Sequence, residues 1–207
     1  MTHAFDKDYW DAHWRETGQG AGREVGPNPY LARETADLTP GRALDAGCGE
    51  GAEAIALAGQ GWRVTAVDIA AAVLVRASAR AQELGLPPER VQWVEADLST
   101  WHPTVRFDLV TTHYAHPAMP QLAFYERIAD WVAPGGTLLI VGHYHAPQGD
   151  GHGAEHPPEE ASATTTGITA TLDRARWDVV TAEEHTRTVA GRSVPLFDVV
   201  VRAKRHP

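Results

Sequence analysis

One cysteine in 207 residues leaves no partner for an intrachain disulfide and no thiolate cluster for a structural zinc site. No apolar run approaches the length of a bilayer span, so no membrane association is expected. Basic residues are in deficit, 18 Lys and Arg against 27 Asp and Glu, for a formal charge of −9. Without a broad basic surface to attract phosphate backbones, nucleic acid is not an expected partner. The first residues, Met1 to Asp6, lack the basic and then apolar order of a leader, which makes the cytoplasm the expected location. No repeat and no linker interrupts the chain, and its length suits a single domain over residues 1–207, as a monomer or homodimer.

Glycine, by contrast, is concentrated in Ala43-Leu44-Asp45-Ala46-Gly47-Cys48-Gly49-Glu50-Gly51, followed after a helical span by Val64-Thr65-Ala66-Val67-Asp68. The pattern reads as strand, glycine loop, helix, strand, acid. Gly47, Gly49 and Gly51 remove the Cβ atoms that would block close approach of a ligand or forbid positive φ. An acid ending the second strand can take both hydroxyls of a ribose, so a ligand containing a nucleoside is expected. The glycines fall at every second position, not in the G-x-G-x-x-G spacing that seats a pyrophosphate on a helix N-terminus. Asp45 would repel a pyrophosphate and suits a cationic ligand, such as one carrying an ammonium and a sulfonium. Cys48 is expected to pack as a small apolar residue beside that ligand, not to react.

Hydrophobic periodicity alternates along the chain: strand 42–46, helix 50–60, strand 63–67, helix 70–85, strand 91–95, strand 106–112, helix 119–132, strand 137–142. Such alternation predicts a doubly wound α/β fold, a mostly parallel sheet with helices on both faces. An amphipathic helix is expected over 6–17. A second runs from an Asn28 cap and Pro29 to about Leu38. Residues 143–163 read as a loop rich in His, Pro and Gly, and 159–174 leans towards helix. Segments 176–188 and 193–204 alternate around Ala190-Gly191 as a closing antiparallel hairpin.

Leu44 to Gly51 resembles motif I of the class I S-adenosylmethionine-dependent methyltransferases, and later segments are similar to that family's in the same order. Val94-Glu95-Ala96-Asp97-Leu98 resembles the segment that holds the adenine. Phe107-Asp108-Leu109-Val110-Thr111-Thr112 resembles strand four, and Ala133-Pro134-Gly135-Gly136-Thr137-Leu138-Leu139-Ile140 the turn into strand five. Trp10-x-x-x-Trp14 and the ending Gly191 to Arg202 look like the compact tellurite-resistance, thiopurine and halide methyltransferases.

The resemblance implies a seven-stranded sheet, with residues 1–40 as a helical cap, 41–142 as the cofactor-binding core and 164–207 completing the sheet. It further implies S-adenosylmethionine as cofactor, S-adenosylhomocysteine as product, and a small-molecule methyl acceptor. Asp68 would bind the ribose, Asp97 the adenine amino group, and Asp45 the cofactor amino group through water or backbone. Ala46, Gly47, Gly49, Gly51, Ile69, Ala96, Leu98 and Thr112 would complete the cofactor site. Trp10 and Trp14, on one helix face, either anchor the core or cover the cofactor.

Methyl transfer from a sulfonium is an in-line displacement that requires alignment, and an acceptor of high pKa also requires a base. Histidine is the natural base near neutrality, and here His113-Tyr114-Ala115-His116 follows strand four while His143-Tyr144-His145 follows strand five. Ligands of doubly wound sheets bind outside these strand ends, so both clusters should converge on one acceptor pocket. His113, His116, His143, His145 and Tyr114 are the candidate catalytic residues. His143, His145, His152 and His156 match no standard zinc spacing, and no metal is expected. The acceptor stays open among thiol, amine, hydroxyl, carboxylate, halide and oxyanion. A nicotinamide oxidoreductase accounts for the loop and acid but not for Asp45. A non-catalytic module binding S-adenosylmethionine or a metal is the remaining alternative.

Overall fold

Residues 5–17, 26–144, 161–188 and 195–207 are described by a computed structural model of the chain. Helices α1 (Lys7–Thr17) and α2 (Pro29–Thr35) precede the sheet. Then come β1 (Arg42–Ala46), α3 (Ala52–Gly59), β2 (Arg63–Asp68), α4 (Ala71–Glu83), β3 (Val91–Glu95), β4 (Phe107–His113) and α5 (Gln121–Ala129). The chain closes with β5 (Val132–His143), α6 (Thr165–Ala170), β6 (Trp177–Arg187) and β7 (Leu196–Arg205). The seven strands lie in the order β3-β2-β1-β4-β5-β7-β6. The first five are parallel, and β7 is antiparallel to both β5 and β6. The order reverses between β1 and β4, which opens a crevice at the carboxyl ends of these strands.

Both faces of the central strands are apolar, as a sheet covered on both sides requires. Leu138, Ile140, Val199 and Val201 pack with Phe124, Tyr125 and Ile128 of α5 on one face. The alternate residues Leu139, Val141 and Val200 pack with Tyr30, Leu31, Leu57 and Leu74 on the other. Each buried aliphatic side chain contributes roughly 1.5–3 kcal/mol, so this double core fixes the strand ends that carry the site. The edge strand β6 instead exposes Glu183 and Glu184, charges that discourage pairing with another chain. Among the described residues no helix is long and apolar enough to cross a membrane.

Three expectations are corrected. First, β5 starts at Val132, not 137, because Val132 pairs with Phe107 before a register shift carries the Pro134-Gly135-Gly136 turn, with Gly135 at φ +77°, inside the strand. That early start cuts α5 to Gln121–Ala129 against the expected 119–132. Second, α6 is only six residues long, capped by Thr164, whose hydroxyl accepts from Gly167 N at 3.0 Å. Residues 161–163 are not part of a surface loop: Ala161 and Ala163 are buried, and Ala163 N donates to His143 O at 3.0 Å. Third, α2 stops at Thr35, not Leu38, in a turn closed by Leu38 N to Thr35 O. Its Asn28 cap forms as expected, with the side chain accepting from Tyr30 N at 3.0 Å.

Candidate active site

A cavity of about 810 Å³ lies at the carboxyl ends of β1, β2, β4 and β5. Its floor is the glycine loop. Gly47 N and Cys48 N both donate to Val67 O, at 2.9 and 3.0 Å, which hooks the loop over β2. Gly47 has φ +81°, and any Cβ there would strike the side chain of Ala115 beyond β4. At Gly49, φ +50°, the indole of Trp14 lies 3.3 Å from where a Cβ would stand. The absence of Cβ atoms therefore lets Ala115 and the Trp14 indole pack directly on the loop, which draws the β4 loop and α1 over it.

Asp68 closes one wall. Its Oδ2 accepts from Gly49 N at 2.9 Å and its Oδ1 from Ala70 N at 3.0 Å, so the carboxylate ties the loop to β2 while facing the cavity. Burial raises its pKa, against the opposing pull of those backbone N–H groups. Asp45 lies behind the loop, 1 % exposed, with Oδ2 lacking any hydrogen-bond partner among the described residues. Burial, and then the nearby Glu53, push its pKa well above the usual carboxylate range. Asp45 is thus a buried acid that backs the loop from outside the cavity lining.

Helix α1 covers this floor. Trp10 Nε1 donates to His116 O at 3.1 Å, and Lys7 Nζ donates to Ile69 O at 3.0 Å and to Glu95 Oε1 at 2.8 Å. Trp10 and Trp14 both line the cavity, as do Ile69, Ala96, Asp97 and Leu98. Asp97 also accepts from Ser99 N at 2.8 Å, so it closes a turn as well.

The opposite wall is the expected histidine rim. His143 stacks on Tyr114 with centroids 4.6 Å apart and on His116 at 5.4 Å, and Phe5 continues the column beyond His116 at 5.6 Å. His113 also lines the cavity, but its Nε2 is buried with no hydrogen-bond partner among the described residues. Burial lowers the pKa of both His113 and His116, so each favours the neutral imidazole. Tyr114 holds φ +56°, an uncommon conformation for a non-glycine residue, and its hydroxyl explains what holds it there. It donates to Asp198 Oδ1 at 2.8 Å and accepts from Arg187 at 3.0 Å and Asn28 at 3.2 Å. Tyr30 and Arg187 complete the fully buried Asp198 at 3.2 and 2.8 Å. Burial, and then Asp198, drive the Tyr114 phenol far above its ordinary pKa, which suits a hydrogen-bonding post and not a base.

Thirteen of the anticipated residues thus face one cavity: the eight of the loop, wall and cover named above (Trp10, Trp14, Gly47, Gly49, Asp68, Ile69, Ala96, Leu98), Asp97, and His113, Tyr114, His116 and His143. Asp45, Ala46, Gly51 and Thr112 stand behind it. Thr112 Oγ1 donates to Ala46 O at 2.8 Å and Gly51, at φ +75°, starts α3 against Trp93. His145, and the His152 and His156 weighed with it, lie outside the described residues. Among the described residues no three His, Cys, Asp or Glu side chains are grouped as a metal site. Phe5, Glu53 and Arg187 line the cavity without having been anticipated, and no sequence signal marks them.

Residues 43–136 match the family model described as a methyltransferase domain. Over these residues the chain is similar to methyltransferase domains. An uncharacterized methyltransferase of Mycobacterium tuberculosis is 39% identical over 100 residues, 47% of this chain and 48% of that protein. Thiocyanate methyltransferase 1 of Arabidopsis thaliana is 30% identical over 139 residues, 64% of this chain and 60% of that one. The chain thus spans about half to three fifths of the length of these curated relatives. Among solved structures, the 1,6-didemethyltoxoflavin-N1-methyltransferase of Burkholderia thailandensis, with 1,6-didemethyltoxoflavin and S-adenosylhomocysteine bound, superposes with a TM-score of 0.68. It is 22% identical and covers 97% of this chain and 87% of its own, a likeness of fold. The matched residues contain the glycine loop and the switch point between β1 and β4.

Proposed function

We infer that the protein binds S-adenosylmethionine over the glycine loop and transfers its methyl group to a small-molecule acceptor held at the histidine rim. The observation that carries this reading is the continuity of one cavity, from Gly47, Gly49 and Asp68 under α1 to Tyr114, His116 and His143 on the far wall. A volume near 810 Å³ lies within the range of roughly 300–1,000 Å³ usual for ligand sites, with room for a nucleoside cofactor and a small partner but not a macromolecule.

In this reading Asp68 holds the ribose, and Gly47 and Gly49 let the cofactor lie against backbone. The cofactor when bound supplies an electrophilic methyl group. The chain aligns acceptor and methyl in a space closed by α1, and well-oriented reactions gain up to about 7–11 kcal/mol from such alignment.

Calorimetric titration tests the reading. Binding of S-adenosylmethionine and S-adenosylhomocysteine is expected, with none for NADH; tight NADH binding and no response to S-adenosylmethionine would overturn it.

A further inference from the structure

Resting on that reading, we propose that His116 is the general base of the reaction, held in a single tautomer by Gln121, and that the acceptor is a neutral molecule whose nucleophilic atom carries a proton. A free halide or oxyanion is not the substrate class this arrangement serves.

Gln121, the first residue of α5, is buried. Its Nε2 donates to Ala115 O at 2.9 Å. A carbonyl can only accept, so the amide is fixed with nitrogen towards Ala115 and oxygen towards His116. That oxygen lies 3.2 Å from His116 Nδ1, and it too can only accept. The proton must therefore sit on Nδ1, and the lone pair on Nε2. His116 Nε2 has no hydrogen-bond partner among the described residues and, unlike Nε2 of His113, is not closed off by its neighbours. Ala115, the residue before it, packs over Gly47, which places His116 where the glycine cradle meets the rim.

The groups packed around the imidazole leave it neutral. Phe5 comes from just before α1, Trp10 from α1 and His143 from β5, and the Tyr125 phenol contacts Gln121 from within α5. No carboxylate perturbs it: burial lowers its affinity for a proton and Gln121 partly restores it. A neutral base is of use only to an acceptor with a proton to lose. The cavity charge agrees, since Glu50, Glu53, Asp68 and Asp97 line it while Arg187, the one described lining cation, is already engaged by Asp198 and Tyr114. An anion would meet excess negative charge there.

In the step itself the acceptor heteroatom forms its bond to the methyl carbon as the carbon–sulfur bond breaks and the sulfonium becomes a neutral thioether. The acceptor's proton passes to His116 Nε2, and the resulting imidazolium returns it to solvent.

Imidazole nitrogen NMR of histidine-labelled protein reads the tautomer without any acceptor, the His116 signals being assigned by their loss in His116→Gln. Protonation at Nδ1 is expected in the wild type and in Gln121→Glu, and a mixture of tautomers in Gln121→Leu. An Nε2-protonated His116 in the wild type would overturn the proposal.

With catechol as the neutral probe, Gln121→Leu should lower kcat about tenfold to a hundredfold, within the ~10²–10⁴-fold that general bases supply. Gln121→Glu should move the ascending limb of the pH profile to higher pH, because a carboxylate raises the imidazole pKa. S-adenosylhomocysteine affinity should stay unchanged in both. Methylation of catechol at a wild-type rate by His116→Gln, or faster methylation of iodide or thiocyanate than of catechol by the wild type, would overturn the proposal and leave the cofactor reading standing, whereas absent cofactor binding would remove the cofactor reading itself.

Discussion

The two ends of the cavity are built from different materials. The glycine end is made of backbone: bare Cα positions at Gly47 and Gly49, N–H groups hooked to Val67 O, and a carboxylate fixed by two more N–H groups. The rim is made of side chains, with Tyr114, Arg187 and Tyr30 gathered on Asp198, Asn28 donating to the Tyr114 hydroxyl, and a column of rings running from Tyr114 to Phe5. A backbone cradle recognises what all users of one cofactor share, while a rim of side chains can change its occupant by substitution. The difference predicts that each end can be damaged separately.

The largest effect should come from Asp198→Ala, which leaves Tyr114, Tyr30 and Arg187 without their common acceptor. Breaking a buried charge pair costs about 3–5 kcal/mol, and the low end applies because Arg187 keeps some solvent access. Denaturant unfolding should show that loss while S-adenosylhomocysteine affinity changes only slightly. A matching collapse of cofactor binding would erase the distinction between the ends.

Gly47→Ala should act in the opposite sense. The new methyl group meets Ala115 and must adopt φ +81°, strain on the order of 1–3 kcal/mol. Calorimetry should report cofactor affinity lowered by about fivefold or more at that strain energy, with the rim network intact.

Asp45→Asn sharpens the account of charge and is the smallest of the three. Its folded pKa is raised above the ordinary 3.8, so its contribution to stability is fully present below that value and is lost as pH rises through the folded pKa. The ligand-free wild type should therefore lose stability from the ordinary carboxylate range upward. The amide variant should lack that slope and melt higher near neutral pH. An unchanged melting profile across that window would show that Asp45 carries no penalty.

The same contrast explains what could be read from the chain before folding. β1, β2 and β3, and the glycine loop between the first two, are local: alternating apolar residues and glycines at every second position state their own structure within about thirty residues. The start of β5 was hidden because Pro134, Gly135 and Gly136 signal a turn, and only pairing with Phe107 draws that turn into the sheet. α6 was blurred by a run of Ala and Thr with no helical period, and it forms where Thr164 caps it. Convergence of His113, Tyr114, His116 and His143 followed from the strand order. The network behind them did not, because Tyr30 and Tyr114 reach Asp198 across 168 and 84 positions. Gln121 is close to His116 in sequence, yet nothing in a helix-starting glutamine reveals that its oxygen faces an imidazole.

The central claim is that cofactor holding and acceptor activation are separate halves of one cavity. Calorimetric titration of S-adenosylhomocysteine into Asp68→Ala and His116→Gln, side by side, tests it most directly. Affinity should fall at least about tenfold in Asp68→Ala, the equivalent of roughly 1.4 kcal/mol, and stay within about twofold of wild type in His116→Gln. Equal losses in both variants, or an Asp68→Ala protein that binds as tightly as wild type, would contradict it.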